Sequence, residues 1–211
     1  MGRAMVIRTG ILHVPAIDEE AGAAVRLLLQ TETPEAVVLV ESYAADQRNW
    51  VADVLRRWCD EEELDLVLTV GGTMPAPGSS GRQIVPDAAA EVAERSLPGL
   101  GEAMRAYAQE TTDLALIDRS AAVIRGRTLI LNLPDGAGPA TLFLEAVTGV
   151  IASVCAHLQE SPYAPRLDEA LAEDEEQGVV GEEMTGGKLD ADEFAAFLRR
   201  GREDDPPLSP A

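Results

Sequence analysis

The stretch Leu66-Val67-Leu68-Thr69-Val70-Gly71-Gly72-Thr73 decides the fold, because an uncharged apolar run passes directly into two glycines. Such a run predicts a strand that is buried on both faces, and the glycines predict a tight turn after it. A loop over 73–85 follows, and Pro86-Asp87 then begins an apolar segment that predicts a helix, since proline suits the first helical turn. A strand, a glycine turn and a helix start together predict a site where backbone N–H groups hold an anion. Tight turning alone is the other interpretation of the two glycines.

Strand and helix patterns alternate before this stretch. Apolar runs at 5–14 and 36–41 predict two further strands, and helical periodicity at 21–30 and 48–62 predicts the helices that connect them. Because β-α-β-α-β alternation implies parallel strands with right-handed crossovers, we predict an α/β fold with helices on both faces of a mostly parallel sheet. Ligands of such sheets bind outside the carboxyl ends of the strands, where the Gly71-Gly72 turn would lie.

The segments after the glycine turn predict more helices and a strand pair. Helical patterns cover 86–95 and 102–110. Apolar segments at 120–124 and 127–132 flank Arg125-Gly126, which predicts two strands joined by a tight turn.

Two predicted helices have a wide apolar face. The face of the helix at 48–62 includes Trp50 and Trp58 and is expected to lie in the core. The segment 140–158 predicts a single long helix, which is expected to pack on the sheet or at a subunit contact.

The charge of the chain is strongly negative and unevenly distributed. The formal net charge is −20, which argues against nucleic acid or an anionic membrane as a general partner. Residues 159–211 contain 15 of the 37 acidic side chains but only 5 of the 17 basic ones. We therefore predict a domain over 1–160 and an acidic, largely flexible C-terminal extension over 161–211. Lys188 is the one lysine in the sequence, so phosphate binding would rest on backbone amides, arginines or a metal ion.

Cysteine content and hydropathy favour a cytoplasmic protein. The two cysteines, Cys59 and Cys155, each lie in an apolar helical pattern and are expected to be reduced, buried thiols. The N-terminus lacks a long apolar segment, and no run of 18 apolar residues occurs.

Three more stretches complete a pattern that begins with residues 66–73. They are Val85-Pro86-Asp87-Ala88, then Leu97-Pro98-Gly99-Leu100-Gly101-Glu102-Ala103-Met104-Arg105, then Leu129-Ile130-Leu131-Asn132-Leu133-Pro134. In this order they resemble the MoaB/Mog family, the molybdopterin adenylyltransferases whose domain also occurs in gephyrin-type proteins. The segment at 98–105 is the most specific, because it matches the family hallmark PGFGE-x-MR at every position except Leu100. The resemblance covers residues 5–158 and leaves out the acidic extension.

The resemblance implies a Rossmann-like three-layer sandwich, generally a homotrimer, that binds molybdopterin and ATP with Mg²⁺ and transfers adenylate to molybdopterin. Adenylyl transfer brings negative groups together, so it needs a metal ion to neutralise them and carboxylates to hold that ion. The resemblance places this catalytic and metal-binding carboxylate on Asp46; simply starting the next helix near Arg48 is its alternative role. The residues expected to bind phosphate or to shape the pterin side are Gly71, Gly72, Thr73, Ser79, Ser80, Gly81, Arg82, Asp87, Pro98, Gly99, Glu102 and Arg105.

Departures from the family pattern leave two functions open. Gln83 stands where the family has an aspartate that serves with the Asp46 carboxylate, and Met74 replaces a glycine. An amide cannot supply a carboxylate's charge to Mg²⁺, so a non-catalytic module that binds pterin or nucleotide, or an oligomeric interaction module, is the alternative to an adenylyltransferase. His13, at the end of the first strand, is a candidate base whose alternative role is structural.

Overall fold

A computed structural model describes residues 6–75, 84–162 and 164. The strands are β1 (Ile7–His13), β2 (Ala36–Tyr43), β3 (Leu66–Val70), β4 (Arg95–Ser96), β5 (Ala122–Arg125) and β6 (Thr128–Leu133). The helices are α1 (Glu19–Glu32), α2 (Arg48–Asp60), α3 (Ile84–Val92), α4 (Pro98–Gln109), α5 (Ala137–Glu145) and α6 (Thr148–Leu158), with a 3-10 helix at Asp113–Ile117. All but three residues of the predicted 161–211 extension, and the predicted site residues at 79–83, lie outside the described residues.

The strands form one mixed sheet in the order β2-β1-β3-β6-β5-β4. The pairs β2–β1, β1–β3 and β3–β6 are parallel, and β6–β5 and β5–β4 are antiparallel. His13 pairs with Val70, and Val70 pairs with Leu133. The carboxyl ends of β1, β3 and β6 therefore meet at one edge of the sheet, which confirms the predicted mostly parallel sandwich.

Each face of the sheet is covered by its own set of helices. Buried side chains of α1, α4, α5 and α6 form one apolar core with β1, β3 and β6. Side chains of α2 and α3 form the second core on the opposite face. The sheet thus lies between two helical layers, and its two central strands are buried on both sides.

The core prediction is right for Trp58, which is fully buried, and wrong for Trp50, whose exposed fraction is 58%. Both residues lie on α2, whose buried side is formed by Val51, Ala52, Leu55 and Trp58. Eight residues of α-helix rotate by about 80° beyond two full turns. Trp50 therefore points away from the stripe that Trp58 completes.

The predicted single helix over 140–158 is two helices in the structure. α5 ends at Glu145, α6 begins at Thr148, and the pair is bent by 64°. The Thr148 hydroxyl donates a hydrogen bond to Glu145 O at 3.1 Å, so it takes up one of the carbonyls left open where α5 ends. The helix predicted over 86–95 begins earlier, at Ile84 within the predicted loop, and ends earlier, at Val92, because Arg95 and Ser96 pair with β5 as an edge strand.

No single helix within the described ranges is long and apolar enough to cross a membrane; only α5 and α6 taken together reach that length, across their bend.

Candidate functional site

The turn after β3 can be made only by glycines. The φ angles of Gly71 and Gly72 are 100° and 71°, a region that L side chains rarely adopt. A Cβ on Gly71 would overlap the carbonyl oxygen of Val14, and one on Gly72 would lie 2.8 Å from Val85 Cγ2. The glycines therefore bring the turn against the end of β1 on one side and against α3 on the other.

The backbone N–H groups of this turn have different roles. Gly71 N–H donates to Leu133 O at 3.0 Å, so it ties β3 to β6 and is not available to a ligand. The N–H groups of Gly72 and Thr73 have no acceptor among the described residues. These two are the donors that the turn can offer to an anion.

Thr73 is buried and held at both its side chain and its main chain. Its hydroxyl donates to Asp118 Oδ2 at 2.8 Å, and its carbonyl accepts the N–H of Arg119 at 3.2 Å. Asp118 Oδ1 in turn accepts Ser120 N–H at 2.6 Å. No pattern in the sequence indicates Asp118 as a site residue, because it belongs to no motif or periodic face and contacts Thr73 only in the folded chain.

The residues of the hallmark segment at 98–105 contact two different parts of the structure. Gly101 packs closely on the Ser120 carbonyl, 3.1 Å from where its Cβ would be, and Arg105 Nη1 donates to the same oxygen at 2.5 Å. Pro98 and Gly99, by contrast, line a groove of about 800 Å³ together with residues of α6, and no residue of the glycine turn belongs to that groove. Glu102 is exposed. The structure thus brings Arg105 toward the turn through Ser120, and it does not bring Pro98 and Gly99 there.

Three exposed carboxylates come from loops or helix starts at the edge where β1, β3 and β6 end. Asp46 lies in the loop between β2 and α2, which Ala44 N–H joins to His13 O at 3.0 Å. Asp87 lies in the first turn of α3 and pairs with Arg119 at 2.8 Å. Asp135 follows β6, and its Cβ lies 3.7 Å from the Cβ position of Gly71.

The carboxylates fit a Mg²⁺ ion that is bound by a substrate, not one that the protein holds alone. Within the described ranges no three histidine, cysteine, aspartate or glutamate side chains converge as a metal cluster. Asp46 is exposed and makes no hydrogen bond or ion pair with a described residue. Mg²⁺ commonly keeps several waters and takes one or two carboxylates together with substrate phosphates, which is what a single exposed aspartate can support.

His13 is fully buried, and both its ring nitrogens have partners. Nε2 lies 2.9 Å from Glu41 Oε1, and Nδ1 accepts the N–H of Asp18 at 3.4 Å. Arg26 also pairs with the Glu41 carboxylate. Gly22 makes room for this group, since a Cβ there would overlap Glu41 Oε1. The arrangement supports the structural role of His13, which fastens the start of α1 to the end of β1.

An apolar cavity of about 540 Å³ adjoins the turn. Met74, which follows the turn, and Pro134, which follows β6, lie in its wall together with Leu114, Leu142 and Phe143. This volume is in the usual range of small-molecule sites, and an apolar wall next to free N–H donors suits a ligand with a flat ring and a phosphate.

Comparisons with known proteins agree with the motifs. A family model described as a probable molybdopterin binding domain matches residues 16–151. The molybdopterin adenylyltransferase of Escherichia coli (strain K12) is 34% identical over 170 residues, which cover 75% of this chain and 81% of that protein. That of Helicobacter pylori is 35% identical over 130 residues, covering 62% of this chain and 72% of that protein. Among solved structures, the molybdopterin biosynthesis enzyme MoaB of Thermus thermophilus is 35% identical with a TM-score of 0.66, covering 75% of this chain and 99% of that one.

Proposed function

Because this chain belongs to the MoaB/Mog family of molybdenum cofactor biosynthesis proteins, we propose that it transfers adenylate from ATP to molybdopterin. Two relatives about one third identical to it are named molybdopterin adenylyltransferase. In the reaction, a phosphate oxygen of molybdopterin attacks the α-phosphorus of ATP, the bond to the β-phosphate breaks, and pyrophosphate leaves. Both substrates are anionic, so binding donors and charge neutralisation are what the protein must supply.

The observation that carries the proposal is the glycine turn at Gly71 and Gly72. It presents the N–H groups of Gly72 and Thr73, which have no acceptor within the described ranges, at the edge where three parallel strands end. In this mechanism those donors hold phosphate oxygens, as the helix and strand ends of open α/β sheets commonly do. The apolar cavity beside Met74 would take a ring of one substrate and keep water from it.

The exposed carboxylates orient the charged groups. A Mg²⁺ ion bound with ATP would supply the positive charge that offsets the phosphates. Asp46 is the residue that would hold that ion together with the substrate phosphates; Asp87 and Asp135 lie on the same edge but form no three-carboxylate cluster with it among the described residues. Ser79, Ser80, Gly81 and Arg82 stay proposed phosphate-binding residues, and Gln83 stays the proposed partner of Asp46 in catalysis.

The alternative is a protein of the same fold that binds pterin or nucleotide without transferring adenylate. Gln83 favours it, because an amide at this position carries no charge with which to bind Mg²⁺. The two functions differ in one product, since binding alone releases no pyrophosphate.

The experiment is to incubate the purified full chain with ATP, Mg²⁺ and molybdopterin and to measure adenylylated molybdopterin together with pyrophosphate. We expect both products to appear in equal amounts, and Asp46→Asn to reduce the rate at least tenfold, the size of about 1.4 kcal/mol in the barrier. Binding of both substrates without pyrophosphate release would establish the non-catalytic alternative.

A second variant asks whether position 83 limits the rate. Gln83→Asp is expected to raise the rate, because it restores a carboxylate at the position where the family pattern has an aspartate. Gln30→Asp, on the exposed side of α1, adds the same charge far from the turn and serves as the matched control. Equal rates in both variants and the parent chain would show that residue 83 takes no part in the mechanism.

A further inference from the structure

A buried carboxylate lies behind the glycine turn and is not explained by the proposed mechanism. Only 3% of Asp118 is exposed, yet both of its oxygens are used. Oδ2 accepts the Thr73 hydroxyl at 2.8 Å, and Oδ1 accepts the N–H of Ser120 at 2.6 Å. A buried charge costs several kcal/mol unless it is hydrogen-bonded in this way, so its position is strongly determined by these contacts.

Residues 118–120 are themselves anchored on two helices. The Ser120 carbonyl accepts Arg105 Nη1 from α4, and Gly101 allows that helix to pack against the same carbonyl. Arg119 pairs with Asp87 in the first turn of α3, at 2.8 Å. The carboxylate therefore projects from a segment that both helical layers hold in place.

Thr73 is consequently held at two points. Its hydroxyl donates to the Asp118 carboxylate, and its carbonyl accepts the N–H of Arg119. The peptide group before Gly71 is held by Gly71 N–H on Leu133 O, and the one after Thr73 by the Thr73 carbonyl. The two peptide groups between them carry the N–H of Gly72 and of Thr73, and they are therefore held at both ends. The flexibility that two consecutive glycines bring would otherwise let these donors turn away.

We propose that Asp118 is a positioning residue for nucleotide phosphate binding: by holding Thr73 it directs the N–H groups of Gly72 and Thr73 at the phosphate. The proposal rests on the proposed function, since it assumes that ATP binds at this turn. It also gives the hallmark residues Gly101 and Arg105 a physical role, which is to support the segment that carries the Asp118 carboxylate.

The test measures the affinity of the full chain for AMP, ATP and adenosine by calorimetry. Asp118→Ala is expected to weaken AMP and ATP binding about tenfold, the size of one hydrogen bond to a charged group, and to leave adenosine binding unchanged. Thr73→Val should weaken the binding of AMP and ATP to the same extent. Thr73→Ser, which keeps the hydroxyl, should bind them as tightly as the parent chain does. The double variant Asp118→Ala with Thr73→Val should be no weaker than either single variant, because both remove the same contact.

Thr128→Val is the matched control. Its hydroxyl is also buried and donates to Leu64 O at 2.5 Å, but it lies at the opposite edge of the sheet. This variant should lose stability and keep its AMP affinity. If Asp118→Ala fails to fold, the Thr73 pair decides the question alone.

The outcomes separate the two proposals. A parent chain that binds neither AMP nor ATP overturns the proposed function and this inference with it. A parent chain that binds them, with Thr73→Val and Asp118→Ala binding as tightly, overturns the inference and leaves the function standing. Equal losses for adenosine and AMP also overturn it, because they would show a general disturbance of the site.

Discussion

At the scale of single residues, Gly71 is the position of the turn that can least accept a side chain. The angle φ = 100° and the nearness of the Val14 carbonyl exclude any side chain unless the end of β1 moves. The same position ties β3 to β6 through its N–H. One residue therefore sets both the geometry of the turn and its attachment to two neighbouring strands.

Gly71→Ala is expected to lower the free energy of unfolding by about 3 kcal/mol, from backbone strain and overpacking together. Urea unfolding of the full chain measures it. Gly149→Ala is the control, because that glycine lies in α6 with no atom within 4 Å of its Cβ position. It should change the stability by less than about 1 kcal/mol, because the alanine side chain meets no other atom there. Equal effects of the two substitutions would contradict the strain described for Gly71.

The thiol of Cys155 gives a pH dependence with a definite sign. Burial, followed by the nearby charge of Asp65, raises the pKa of Cys155 to about 12. In the unfolded chain the thiol ionises near pH 8.5, so between about pH 8.5 and about pH 12 the unfolded state releases a proton that the folded state keeps. The free energy of unfolding must therefore fall as pH rises through this range, and it is unaffected below it.

The measurement compares the parent chain with Cys155→Ala in urea at several pH values. The difference in unfolding free energy between the two is expected to shrink by up to about 1.4 kcal/mol per pH unit above pH 8.5. Comparison of the two proteins cancels the titration of tyrosine and other groups. A difference that stays constant up to pH 11 would show that the thiol ionises equally in both states.

The residues of the site were predictable to different degrees. Gly71 and Gly72 are predictable from the sequence, because a tight turn after a buried strand depends on local residues and requires glycine at two adjacent positions. Asp118 is not, since its importance depends on a contact with a residue 45 positions away. Pro98 and Gly99 match the family motif, yet the motif does not reveal that they face α6; their part in substrate binding stays a prediction.

At the scale of elements, the strands and the hairpin were predicted well and the helix boundaries less well. Burial on both faces leaves a continuous apolar run, which identifies β3 and β6 without tertiary information. The sequence does not indicate the break between α5 and α6, because both helices are apolar on most sides and the helical periodicity continues through the break. The break is supported by contacts outside the helices, including the Thr33 hydroxyl on the Thr148 carbonyl at 3.3 Å.

Helix starts provide a prediction at this scale. Asp18 caps α1, and its carboxylate accepts the N–H of Ala21 at 2.9 Å. Asp18→Ala should cost about 1 kcal/mol of stability, because it leaves a helical N–H without its partner. Gln47 occupies the same position on α2 but makes no capping hydrogen bond, so Gln47→Ala is the control and should change little. Thermal unfolding of both variants gives the comparison, and a larger loss for Gln47→Ala would contradict the assigned caps.

At the scale of the whole molecule, the 3-10 helix carries a run of exposed aliphatic side chains. Leu114, Leu116 and Ile117 in the 3-10 helix are each more than half exposed, beside the cavity that adjoins Met74. A chain with a net charge of −20 resists association unless apolar area compensates for the repulsion. The homotrimer implied by the family resemblance stays a prediction, and this run is where we expect the contact between copies.

Leu116→Glu is expected to shift the chain from a homo-oligomer to a monomer in sedimentation velocity experiments, because it places a charge in the middle of the exposed run. Leu27→Glu, on an exposed position of α1, adds the same charge elsewhere and should leave the oligomer intact. A parent chain that sediments as a monomer would contradict the predicted homotrimer.

The pairing of β3 with β6 has a consequence for the order of folding. It joins residues far apart along the chain, such as Asn132 and Thr69, which are separated by 63 positions. Closing so long a loop costs entropy before any strand contact forms, and proteins rich in such pairings fold slowly. The glycine turn is completed only by that pairing, through Gly71 N–H on Leu133 O. Trp58 lies in the same core as Val67 of β3 and Ile130 of β6. During refolding, the fluorescence of a bound nucleotide analogue should therefore appear with or after the burial of Trp58 and never before it, which makes ligand binding a reporter of the β3–β6 pairing.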